Sequence, residues 1–350
     1  MKKAVLLFFL VFVLLVVFAS GAYPASSEKH TIIRVGLIQN AASVKINGVN
    51  ITRSSISGVS ETFQGSWNNH VNVNGAPYRG LIEVRKNDSG RLTVINIIDI
   101  EHYLYGVVSK EISPNWPEEA VKAQIVAART FALKNMGKHK SEGFDICDTV
   151  HCQVYGGVWA ENSVSNKLVD ETVGEVMTYM GELINASYHG ICGGYTEDPR
   201  DVWEGGSRIP YLSSVKCNYC RDAKGFNWTK EIDISTLQSK LSAAGISVGK
   251  IQSMLVFRKS KTGRAKEIKI SGSKTYNIIK GTKLRSLLGT NVIRSTMFNV
   301  NKKGKSFVFT GKGWGHGVGM CQEGARGMAE KGNTYKQILK FYYRGVMIKQ

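Results

Sequence analysis

Pro114-Asn115-Trp116-Pro117 divides the chain into two kinds of pattern. Two prolines three residues apart fix two φ angles and remove two backbone donors, so no regular element runs through them. Upstream, residues 31–98 alternate apolar and polar positions in short runs such as Thr31-Ile32-Ile33-Arg34-Val35-Gly36-Leu37-Ile38. Turn clusters, Ile46-Asn47-Gly48 and Asp88-Ser89-Gly90, punctuate these runs, and the pattern predicts β structure. Downstream, Pro117 suits a first helical turn, and Glu118 and Glu119 complement the positive end of a helix dipole. Val121, Ile125, Ala128 and Ala132 then make an apolar stripe at helical spacing, predicting a helix to about Asn135.

The remainder predicts a short helix over residues 164–173, a strand at 175–179, and an α+β segment over 228–300. That segment carries a helix at 234–243 and strands at 254–259 and 265–271. A glycine-rich loop at 311–319 and an amphipathic helix at 335–343 close the chain. Strands and helices are segregated rather than alternating, which is an α+β pattern. The expected organisation is a leader at 1–22, a β-rich part at 31–98, a core of 99–227 with 301–350, and 228–300 inserted between them.

Lys2 and Lys3 precede an unbroken apolar run at residues 4–18, followed by Ala19-Ser20-Gly21-Ala22 and then Tyr23-Pro24. This is the layout of an export signal cleaved after Ala22. The run is shorter than the roughly 20 residues a spanning helix prefers, and retention as a single N-terminal membrane anchor is the alternative. Either way the chain is expected outside the cytoplasm, in the periplasm or cell envelope. That setting decides how its formal net charge of +19 is read. Nucleic acid is excluded as the partner, and anionic wall polymers, lipid headgroups or sugar-borne carboxylates take its place.

Six cysteines offer a second constraint. Cys147 and Cys152 flank His151, and His139 lies upstream. Thiolate and imidazole are zinc ligands, so these four can complete a tetrahedral Cys2His2 set, with a Cys147–Cys152 disulfide as the other reading. Cys217 and Cys220 form a C-x-x-C, joined by Cys192 and Cys321. These four admit two disulfides, one disulfide with free thiols, or a second zinc site, and the exported setting favours disulfides.

Glu111 is expected on a turn between the β-rich part and the helix, among Val107, Val108 and Ile112. Apolar neighbours strip water from a carboxylate and raise its pKa, the condition a general acid needs. The helix after it brings Lys122 and Arg129 to one face, with Gln124 half a turn round. Glycines at alternate positions in Gly313-Trp314-Gly315-His316-Gly317-Val318-Gly319 allow close backbone approach, and Trp314 offers a flat face of the kind sugars stack on.

Four ordered blocks then carry a resemblance. They are Tyr103-Leu104-Tyr105-Gly106-Val107-Val108-Ser109-Lys110-Glu111 with Trp116-Pro117 and the helix to Thr130; residues 147–157; Cys192-Gly193-Gly194-Tyr195-Thr196 with Asp201-Val202-Trp203; and residues 313–325. Over about residues 95–345 the chain resembles the SpoIID/LytB family, named for stage II sporulation protein D and an amidase modifier. The resemblance implies a two-domain α+β architecture with a substrate cleft, an N-terminal β-rich part and a catalytic part built on the long helix. It implies a sporulation-like peptidoglycan lytic transglycosylase that cleaves the β-1,4 bond between N-acetylmuramic acid and N-acetylglucosamine, on glycan stripped of peptides, leaving an anhydro-muramic end. Glu111 would be its single acid/base, and Lys122, Gln124, Arg129, Tyr188, Cys192, Trp314 and His316 would line the cleft. His139, Cys147, His151 and Cys152 would hold a structural zinc. Peptidoglycan strands and a cell-wall amidase are the implied partners. The second reading is a non-catalytic enhancer of an amidase. Asp99 and Glu101, the nearest other carboxylates, are expected to be structural.

Overall fold

The computed structural model describes residues 31–65, 70–203 and 205–350. The expected leader at 1–22 lies outside the described residues, among which no helix is long and apolar enough to cross a membrane.

The β-rich part forms two sheets. Strands Ser60–Gln64, Leu81–Lys86, Leu92–Asp99 and Ile32–Ala41 lie side by side and antiparallel, and Ile146–Cys147 adds to the last in parallel, Gly36 opposite Cys147. Four short strands, of which Ser43–Ile46 and Val49–Thr52 turn at Asn47-Gly48, make the second sheet. Between them Val44, Ile46, Val71, Ile82, Val84 and Val94 are buried, as the alternation predicts.

Helix α1, Ile100–Glu111, follows at once, capped by Asp99, whose carboxylate accepts the Glu101 N–H at 2.9 Å. Tyr103, Leu104, Val107 and Val108 turn its apolar face inward. Glu111, expected on a turn, is instead the last residue of this helix, which ends as Ile112 closes onto the Val108 carbonyl at 3.0 Å. A stretch as short as residues 98–105 does not separate a helix from a strand by periodicity. Helix α2, Glu118–Lys134, is the predicted long helix and lies at the centre, buried almost all round. Its alanines let α1 and two later helices approach closely.

Helix α3, Ser163–Asp170, is capped by Asn162. Beyond it, a module with its own core of Trp228, Leu237, Ile268, Ile270, Phe307 and Phe309 combines helix α4, Ile234–Ala243, and helix α5, Gly281–Leu288, with two three-stranded sheets. Its strand Ser306–Lys312 pairs with both Asn227–Asp233 and Phe298–Lys303, so the segment extends to Lys312, past the expected 300. Helix α6, Gln322–Ala329, and helix α7, Tyr335–Tyr342, return to pack on α2. The architecture is α+β, but residues 32–350 make one compact unit with several cores rather than two separable domains. Buried Arg264 shows why: it reaches out of the module to donate to the Cys192 carbonyl at 2.6 Å.

Candidate active site

Glu111 is common to two depressions that share no other residue. One, of about 500 Å³, is bordered by Asn135, Lys138, Gln153, Tyr188, Trp203 and His316 among others. The other, of about 360 Å³, is bordered by Lys110, Trp116, Trp314, Gln322 and Glu323 among others. Indoles thus stand in both, Trp203 and Trp314 each 40% exposed, Trp203 beside His316 and Trp314 with the Arg294 guanidinium 4.8 Å over its ring.

Burial raises the pKa of the Glu111 carboxyl, opposed by hydrogen bonds from Tyr188, the Val154 backbone and Gln322. Its position at the end of α1 adds to the raising effect, because the negative pole of a helix disfavours a carboxylate there. No lysine or arginine is among the causes that bring it down. Behind it runs a chain of polar groups: Tyr103 donates to Gln153 at 3.1 Å, and Gln153 donates to the Tyr188 hydroxyl at 3.0 Å. With its lone pair occupied by that amide, the Tyr188 hydroxyl has its proton free for Glu111. The Gln322 amide reaches the Glu111 carbonyl at 3.4 Å and Gln124 at 3.3 Å. A dehydrated carboxyl held by neutral donors can deliver a proton and take one back.

Tyr188 is placed by the glycine-rich loop. Tyr188 and His189 pair in parallel with Met320 and Cys321, and Ile191 bridges to Trp314. The approach leaves no room for side chains: a Cβ on Gly319, whose φ is +71°, would stand 1.9 Å from the Ser187 carbonyl oxygen. His316 Nε2 donates to the Tyr188 carbonyl at 3.0 Å while its Nδ1 accepts the Val318 N–H at 3.1 Å. Both ring nitrogens are engaged, and burial pushes its pKa down to about 4. His316 is therefore a neutral prop for Tyr188, not a proton carrier.

Of the residues expected in a cleft, Glu111, Tyr188, Trp314 and His316 line the two depressions, and Gln124 lies 1% exposed beneath Gln322. Lys122, Arg129 and Cys192 do not reach them. Lys122 pairs with Glu171 at 2.7 Å. Arg129 is fully buried, its guanidinium clasping Glu101 at 2.9 and 2.5 Å and donating to the Glu175 carbonyl at 3.2 Å. Helical spacing set them on one face, but that face turns inward at Arg129 because a carboxylate waits there. Cys192 is fully buried among Cys217, Cys220 and Cys321. Gln322, Gln153, Lys138 and Trp203 were not singled out from sequence; Trp203 alone lay in a block quoted by name.

His139, Cys147, His151 and Cys152 converge at the edge of the larger depression, their ligand atoms within 4.8 Å of one another. Cys152 Sγ lies 3.5 Å from His139 Nε2 and from His151 Nδ1, and Cys147 Sγ lies 3.6 Å from His151 Nδ1. Sulfur and nitrogen ligands of tetrahedral zinc stand about 3.5 Å apart, given bonds of about 2.3 and 2.0 Å. His139 Nδ1 meets Glu142 at 2.5 Å, the carboxylate contact that orients a metal-binding imidazole. These four residues can hold a metal.

The family model described as stage II sporulation protein matches residues 88–179, and one described as a domain of unknown function matches residues 217–319. An uncharacterised protein of Brachyspira hyodysenteriae is 37% identical over 316 residues, covering 90% of this chain and 82% of its own length. Stage II sporulation protein D of Bacillus subtilis is 34% identical over 272 residues, 72% of this chain and 75% of that protein. The amidase enhancer of Bacillus subtilis is 33% identical over 290 residues, 70% of this chain, which spans only 40% of the enhancer. The chain belongs to the SpoIID/LytB family.

Proposed function

We propose that this protein is exported and cleaves peptidoglycan glycan strands as a lytic transglycosylase, with Glu111 as its single acid/base. The observation that carries this reading is the junction of two indole-bearing depressions at one dehydrated carboxyl. A strand laid through both would present its glycosidic oxygen to Glu111. Glu111 is also the only carboxylate among the described residues lining the larger depression. Hydrolysis normally takes two carboxylates, whereas intramolecular attack takes one.

In this mechanism Glu111 acts in its protonated form, which desolvation favours, and gives its proton to the oxygen leaving the muramic C1 carbon. The C1–O bond breaks, and the primary hydroxyl of the same sugar attacks C1. Its proton passes to Glu111, which regains its starting state, and no water is consumed. Tyr188 and Gln322 orient the carboxyl and steady it during its brief ionised interval. Lys138 and Lys110, on the rims of the two depressions, suit the lactyl carboxylates of muramic acid.

The His139, Cys147, His151 and Cys152 group holds zinc in this reading. With four protein ligands it would be a closed structural site, and the metal would serve to fix the loop that carries Gln153 and Val154 against Glu111. The leader-like residues 1–22 support export to the periplasm or cell envelope, with anchorage the other outcome.

Denuded glycan incubated with purified protein should release anhydro-muramic ends, read by mass spectrometry. Unchanged release by Glu111→Gln would remove the assignment. The name of the amidase-enhancer relative supports a second reading, in which the chain binds wall polymer or an amidase without cleaving. No glycan cleavage, together with acceleration of an amidase in the same assay, would favour it.

A further inference from the structure

We propose that Cys192, Cys217, Cys220 and Cys321 form a second metal site, a closed tetrathiolate holding one zinc ion apart from the His139 group. Their sulfurs arrive from three separate stretches of chain and lie within 4.8 Å of one another, all four residues buried. Cys220 Sγ is 3.4 Å from Cys192 Sγ and 4.0 Å from Cys217 Sγ. Four thiolates bound to zinc at about 2.3 Å stand about 3.8 Å apart along tetrahedral edges. Two disulfides would instead need two exclusive pairs, each drawn together to about 2 Å. Here Cys220 is shared between two neighbours, and the disulfides that the exported setting suggested have no natural division.

The surroundings are those of anionic sulfur. Backbone N–H groups of Cys192 and Gly324 point at Cys321 Sγ at 3.2 and 3.3 Å, and that of Gly194 points at Cys192 Sγ at 3.4 Å. The Tyr342 hydroxyl stands 3.2 Å from Cys217 Sγ. Thiols accept weakly, whereas metal-bound thiolates are oriented by such donors. Four thiolates and one divalent ion also leave a net charge of −2, and a buried cation is at hand. Arg264 is 2% exposed, and its Nε and Nη1 have no hydrogen-bond partner among the described residues. Its nearest carboxylate contact, Glu197, is 4.0 Å away. The anionic cluster, to which Cys192 and Cys321 belong, adds to the compensation that Glu197 gives this guanidinium. The start of α6 leaves room for the sulfurs: a Cβ on Gly324 would stand 2.8 Å from Cys217 Sγ and 2.0 Å from the Tyr342 hydroxyl.

A metal with all four positions filled by buried protein sulfur is a clamp. It would join the segment at Cys192, the 217–220 turn and the residue before α6, and so hold Gln322 against Gln124 and the Glu111 carbonyl.

The full chain, purified without chelator or added metal, should carry two zinc ions by plasma mass spectrometry. The Cys217→Ser/Cys220→Ser variant should carry one, and so should His139→Ala/His151→Ala. Zinc-edge absorption of the wild type should average three sulfurs and one nitrogen per ion, six thiolates and two imidazoles being shared by two ions. Should the cysteine variant fail to fold, wild-type protein is unfolded with chelator and alkylating agent but no reductant, and all six cysteines should be modified. One zinc per wild-type chain, iron in place of the second zinc, undiminished zinc in the cysteine variant, or only two alkylated cysteines would each overturn the proposal. The readout is metal content, so it stands or falls apart from the proposed role of Glu111.

Discussion

The two ends of α1 each hold a partly buried glutamate, and they treat it in opposite ways. Glu101 sits in the first turn, where the helix dipole favours a negative charge, and the buried Arg129 clasps it at 2.9 and 2.5 Å. Glu111 sits in the last turn, where the dipole disfavours one, and only neutral groups, Tyr188, Gln322 and the Val154 backbone, reach it. One carboxylate is tied to a guanidinium and given over to structure. The other is kept ready to carry a proton and opens onto two depressions. The same residue type, ten positions on, becomes a different chemical object through its surroundings.

Exchanging the two environments is the strongest way to break this comparison. Glu111→Gln should lower glycan cleavage by about 10²–10⁴-fold, the usual contribution of a positioned acid/base, with the fold intact by circular dichroism. Glu101→Gln should do the reverse. Left without its anion, buried Arg129 should cost about 3 kcal/mol in urea unfolding, with activity lost only as the protein unfolds.

A smaller effect tests the raised pKa of Glu111. A carboxyl with a raised folded pKa contributes stability at low pH, below its unfolded pKa, that is lost as pH rises through the folded value. Above the ordinary glutamate range the unfolded carboxyl ionises more readily than the folded one, a cost that the neutral amide of the variant does not carry. Glu111→Gln should therefore melt at a higher temperature than wild type at pH 7, and the gap should close as pH falls below the ordinary glutamate range. A gap that widens on acidification would contradict the raised pKa.

Tyr188→Phe removes a hydrogen bond that lowers this pKa, at about 1 kcal/mol or roughly fivefold in rate. The alkaline limb of the pH–rate profile should move to higher pH, which a merely structural loss would not produce. The smallest effect belongs to Lys122→Ala. Its ion pair with Glu171 is on the surface, so stability should change by less than about 0.5 kcal/mol and cleavage not at all.

Much of this was legible in the residues. The Pro114–Pro117 break placed α2 correctly, and the hairpin turns at Asn47-Gly48 and Ser89-Gly90 divided the β-rich part where the strands divide it. Glu111 stood out through its apolar neighbours. What the sequence could not show was which way a helix faces. Lys122 and Arg129 share a stripe, yet one meets Glu171 at the surface and the other meets Glu101 inside, because partners far along the chain decide. Gln153 and Gln322 escaped notice because an amide has no spacing signal; only the fold brings them to Tyr188 and Glu111. The four buried cysteines could be counted but not joined, since connectivity among distant sulfurs is not written in their spacing.

The central claim is that a single carboxyl drives attack by the sugar's own hydroxyl. Glu323, on the rim of the smaller depression with its pKa raised by burial, is the nearest rival for a second carboxylate. Digestion of denuded glycan in ¹⁸O-labelled water tests the claim directly. The account predicts anhydro-muramic ends carrying no label, and about 10²–10⁴-fold fewer of them from Glu111→Gln. Reducing muramic ends carrying ¹⁸O, lost in Glu323→Gln, would contradict it and make the protein a two-carboxylate hydrolase.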